Sequence, residues 1–154
     1  MQQNPTDSSV SPGLFAKAKR LVQSGEASCV VIRNGKIACM GKGLGIAPLI
    51  SIYENKPETL RGAFVVDKVI GKAAAMMIVL GGAKSAYGEV MSVSACEYLA
   101  KHGCDFAFGR RIDTVSNRTG NGICPLERSV LGVDDPAAGY RLLKETICRL
   151  KSAG

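Results

Sequence analysis

Apolar residues run almost without interruption from Ala63 to Leu80, AFVVDKVIGKAAAMMIVL, broken only by Asp67-Lys68 and Gly71-Lys72. The β-branched first part, Gly62–Ile70, reads as a buried strand, and Gly71–Leu80 as a buried helix. Charged side chains therefore stand at a strand-to-helix junction, where open α/β sheets place their ligands.

The pattern on either side supplies the other elements. Leu14, Ala18, Leu21 and Val22 share one face of a helix over Pro12–Ser24, and Gly25 is placed to end it. Ser28–Arg33 and Lys36–Met40 flank Asn34-Gly35, a strong hairpin signal because both turn positions need positive φ. The glycine-rich run Gly41–Gly45 precedes a helical stretch, Ile46–Glu54, and Asn55–Arg61 reads as a polar connection. A short strand, Lys84–Tyr87, leads to a helix over Met91–His102, where Ser94 and Glu97 have capping-box spacing. Cys104–Phe108 is a strand continued in extended form by Arg110–Val115, and Ser116–Ile123 is a loop rich in turn residues. Cys124–Glu127 opens a helical turn to Leu131. Asp134-Asp135-Pro136 starts the last helix, with Tyr140, Leu143, Ile147 and Leu150 as its buried stripe. An opening hairpin followed by alternating helices and strands predicts a three-layer α/β/α sandwich with a mixed sheet. Residues 1–12 read as a disordered tail before a single domain over 13–154.

Composition narrows the function. The six cysteines contain no C-x-x-C pair and sit in apolar segments, so free thiols in a reducing cytoplasm are expected. No apolar run is long enough to span a membrane. The net charge of +7 favours anionic ligands, but the basic residues are scattered, so nucleic acid is not the expected partner.

Most catalytic motifs are absent. The lone histidine, His102, and the cysteine spacing give no metal set, so neither a metal nor a cofactor is expected. From Gly41 or Gly43 the sixth position is Ile46 or Pro48, which breaks the dinucleotide fingerprint. Gly71-Lys72 is followed by Ala73 rather than Ser or Thr, which excludes a P-loop. What remains is an anion site where the helix starting at Lys72 offers orphan amides. Lys72 is itself unfavourable at that end of the helix dipole unless an anion is near.

Val65–Ala75 (VVDKVIGKAAA), Gly81-Gly82, Tyr87–Ser92 (YGEVMS) and Asn117–Glu127 (NRTGNGICPLE) resemble a small bacterial family, the domain-of-unknown-function family 1893, over residues 13–131. The resemblance implies a cytidine-deaminase-like fold. The deaminase zinc pattern, H-x-E or C-x-E with P-C-x-x-C, does not carry over. The corresponding helix starts, Gly43-Leu44-Gly45 and Ile70-Gly71-Lys72-Ala73, hold no His, Cys or Glu, and Cys124-Pro125 reverses the order. The expected function is therefore binding of a small anionic molecule, nucleotide-like or another phosphate or carboxylate compound. Its expected contacts are Gly43, Gly45, Lys68, Gly71, Lys72, Ala73 and Asn117. The alternatives are a metal-free enzyme using Lys72 with Asp67, Cys124 or Glu127, and an oligomeric scaffold; a homo-oligomer is expected in either case.

Overall fold

Asn34 and Gly35 both adopt positive φ, 55° and 74°, and join strand β1 (Cys29–Arg33) to β2 (Lys36–Gly41) in the expected hairpin. The computed structural model describes residues 10–117 and 119–153. Strands β3 (Phe64–Ile70), β4 (Ser85–Ser92) and β5 (Asp105–Ile112) complete a five-stranded sheet of order β2-β1-β3-β4-β5. β1 runs antiparallel to both neighbours, whereas β3, β4 and β5 are parallel. Parallel neighbours need crossovers, which α4 (Lys72–Leu80) and α5 (Val93–Lys101) provide.

Alternation along β3 divides the core between the two faces of the sheet. Phe64 and Val66 pack with Phe15, Ala18 and Val22 of α1 (Pro12–Ser24). Val65 and Ile70 face the opposite layer, which holds α2 (Ala47–Asn55), α3 (Pro57–Leu60), α4 and α5. Ala73–Ile78 are buried all round because further helices cover α4 on its far side. Those helices are the short α6 (Pro125–Ser129) and α7 (Pro136–Ala153). The result is the expected α/β sandwich with a mixed sheet.

Several boundaries differ from the sequence reading. β4 runs to Ser92, not Tyr87, because β3 pairs with it as far as Met91 and β5 as far as Ser92. Met91 therefore belongs to a strand, and α5 begins at Val93. Its N-cap is Ser92, whose Oγ accepts from Ala95 N at 3.1 Å, so the Ser94/Glu97 capping box does not form. The connection over 55–61 contains α3, whose Leu60 is fully buried. On α7, Asp135 is the cap, accepting from Ala138 N. The α7 stripe ends early: Leu143 is buried, but Leu150 is 46% exposed. Residues 1–9 of the expected tail and Arg118 lie outside the described residues. Val10 packs into the α1 core and Ser11 caps α1, so the fold reaches further toward the N-terminus than expected.

Candidate functional site: the start of α4 and the groove beside α6

Gly71 ends β3 and precedes α4 with no side chain to cap it. The first intrahelical bond runs from Ala75 N to Gly71 O, so earlier amides need acceptors from elsewhere. Glu127, the third residue of α6, supplies them. Lys72 N donates to Glu127 Oε1 at 2.8 Å, and Ala73 N donates to Oε2 at 2.9 Å. One carboxylate thus closes two orphan donors at the positive end of the helix dipole. Burial pushes the Glu127 carboxyl above its ordinary pKa, opposed by the Ala73 and Lys72 amides and then by the Lys72 charge. The Lys72 ammonium lies over the Tyr98 ring, 5.9 Å from its centroid.

Asp67 is the second buried carboxyl, 8% exposed, in the middle of β3, where it is the last residue paired with β1, opposite Cys29. Its Oδ1 accepts from Lys68 N at 2.7 Å, just past the point where β3 stops pairing with β1. Burial raises its pKa to about 7, against the pull of the Lys68 and Val69 amides. Burial, then the Asp67 charge and Cys39, push the Cys29 thiol upward. The expected alternation fails just beyond Asp67: Lys68 and Val69 are both exposed, while Ile70 is buried.

The outer side of α6 borders a groove of about 380 Å³. Arg128 and Ser129 of α6 face Thr146, Arg149 and Leu150 of α7 across it. Asn117, Ile123 and Pro125 close the end nearest the turn-rich loop. Arg149 donates to Thr146 Oγ1 at 3.2 Å. Neither arginine makes an ion pair among the described residues. The Asn117 side chain folds its own loop, donating to Asn121 Oδ1 and accepting from Thr119 Oγ1 and Asn121 N.

The sequence model of the family described as Domain of unknown function (DUF1893) matches residues 17–147. The chain belongs to that family. A DUF1893 family protein from Thermotoga maritima has a similar structure, with a TM-score of 0.79 at 24% identity, covering 94% of this chain and 96% of that one. The dCMP deaminase from the cyanophage S-TIM5 is similar at a TM-score of 0.47 and 14% identity, covering 65% of this chain and 94% of that one. A diaminohydroxyphosphoribosylaminopyrimidine deaminase/5-amino-6-(5-phosphoribosylamino)uracil reductase from Thermotoga maritima also scores 0.47, at 16% identity, over 78% of this chain and 40% of that one. No curated protein sequence matches.

Of the residues singled out in this DUF1893 sequence, the structure joins Gly71, Lys72, Ala73 and Glu127 into one hydrogen-bonded unit. The amide pair expected to receive an external anion is therefore filled from within, by Glu127. Gly43 belongs to a different contact: its N–H donates to Ser28 Oγ and its carbonyl accepts from the same hydroxyl. Gly45, with φ of 57°, is exposed beside it, and Lys68 is exposed on β3. Cys124 is the residue before α6 and is half-buried. Among the described residues, no group of three or more His, Cys, Asp or Glu is placed to hold a metal ion, and no helix is long and apolar enough to cross a membrane. The sequence reading missed Arg128 and Arg149. Leu150, at the end of the apolar stripe of α7, is the one signal that marks their groove.

Proposed function

We propose that this DUF1893 chain is a binding module for a small anion, held in the groove between α6 and α7. One observation carries the reading: Arg128 and Arg149 line the same groove, and none of its described lining residues is acidic. Two guanidinium groups with no carboxylate partner among the described residues form a local positive field, and their planar forks match oxyanions. The volume is within the range of small-molecule sites. The α4 start contributes indirectly: by holding Glu127, it keeps that carboxylate out of the groove that the next residue, Arg128, lines. A catalytic role for Lys72 with Glu127 has less support. Their hydrogen bond uses the Lys72 backbone amide, while the ammonium is directed at Tyr98.

Isothermal titration with inorganic phosphate tests this. Binding by the unmodified chain is expected, with a loss of about tenfold or more for Arg128→Gln and for Arg149→Gln, as for charge-assisted hydrogen bonds. Both side chains are exposed, so thermal stability should hold. Equal phosphate affinity in all three proteins would refute the site.

A further inference from the structure

Resting on that reading, we infer that the ligand of the groove is an aliphatic phosphomonoester rather than a nucleotide. The paired guanidinium groups set the head group. A phosphomonoester carries about −1.5 to −2 charges at neutral pH, which matches two arginines better than one carboxylate does. Everything else in the groove is poor in recognition chemistry for a nucleoside. No lining residue is aromatic, so a base has no ring to stack on. No described lining residue is a carboxylate, the usual acceptor for ribose hydroxyls.

The polar residues that remain are committed. Ser129 Oγ donates to Leu126 O at 2.7 Å, and Thr146 Oγ1 donates to Leu142 O at 2.8 Å. Asn117 uses both ends of its amide within its loop. Each therefore keeps only part of its hydrogen-bonding capacity for a ligand.

The apolar part of the groove is aliphatic: Ile123, Pro125 and Leu150. Leu150 continues the buried stripe of α7 yet remains 46% exposed. An alkyl chain lying against it would remove that surface from water. The lining thus combines two arginines on facing helices with aliphatic side chains, complementary to a phosphate on a short hydrocarbon.

The test compares three probes by isothermal titration: inorganic phosphate, n-hexyl phosphate and cytidine 5′-monophosphate. Hexyl phosphate should bind about tenfold or more tighter than inorganic phosphate, the gain from burying a few methylenes. Cytidine monophosphate should bind no tighter than inorganic phosphate. Leu150→Ser should remove most of the hexyl gain, so that the ratio of hexyl phosphate to inorganic phosphate affinity falls toward one. Hexyl phosphate binding no tighter than inorganic phosphate, or cytidine monophosphate binding tightest, would overturn this inference while leaving the anion site standing. No binding of any probe would overturn both. Co-sedimentation with phosphatidylcholine vesicles carrying phosphatidic acid separates two sources of the same chemistry. Arg149-dependent pelleting identifies a lipid, retention in the supernatant a soluble ester, and either supports the inference when hexyl phosphate binds.

Discussion

Gly71 leaves open the space that Glu127 occupies. A Cβ at position 71 would lie 2.6 Å from the Glu127 carboxyl carbon, inside any tolerated contact. Gly71 has φ of −95° and ψ of −176°, ordinary extended backbone, so the glycine is required by proximity rather than by conformation.

That relationship predicts a sign change in a double-mutant cycle. Gly71→Ala alone should destabilise by about 1–3 kcal/mol, because it displaces a carboxylate that satisfies two buried amides. In a Glu127→Ala background the same substitution should be neutral or stabilise by about 0.4–1 kcal/mol, through reduced entropy of the unfolded chain. Denaturant melts of the four proteins check this. A Gly71→Ala cost that is equal in both backgrounds would mean that the two residues are not coupled.

Asp67 predicts a pH dependence. Its folded pKa of about 7 lies above the ordinary value near 3.8, so the folded chain retains a proton that the unfolded chain releases. Its stabilising contribution is complete below the unfolded pKa and is lost as pH rises toward and through about 7. Asp67→Asn keeps the acceptor for Lys68 N and removes the charge. The variant should match the unmodified chain near pH 4 and exceed it at pH 8, by on the order of a few kcal/mol. Glu127 is present in both proteins, so the difference isolates Asp67. Parallel stability profiles across that range would contradict the assignment.

The core prediction rests on Ile78, fully buried on α4. Ile78→Ala should cost roughly 2–5 kcal/mol in denaturant melts, the range for large-to-small changes in a packed interior. A cost under about 1 kcal/mol would place α4 at the periphery.

Where the sequence reading succeeded, the signals were local. Asn34-Gly35 carries its own turn geometry, and Phe64–Val66 with Ala73–Ile78 show continuous burial in their composition. α1 was legible from its stripe and from Gly25, whose φ of 82° ends the helix. The errors arose where a longer-range partner decided the outcome. Ser92 and Ser94 are equally plausible caps by composition; pairing with β5 extends the strand to Ser92 and selects it. The sequence places Lys72 at an amide terminus and expects an external anion there. The anion comes from a residue 55 positions away, a separation at which spacing carries no information. Arg128 and Arg149 line one groove only because α6 and α7 pack side by side, so no motif marks them.

The claim that the α4 terminus is closed and the anion site lies beside α6 is tested most directly by amide NMR during titration with inorganic phosphate. Saturable shifts should appear at Arg128, Ser129 and Arg149, while Lys72 and Ala73, held by Glu127, stay unchanged. Shifts confined to Lys72 and Ala73, with Arg128 and Arg149 silent, would contradict the account.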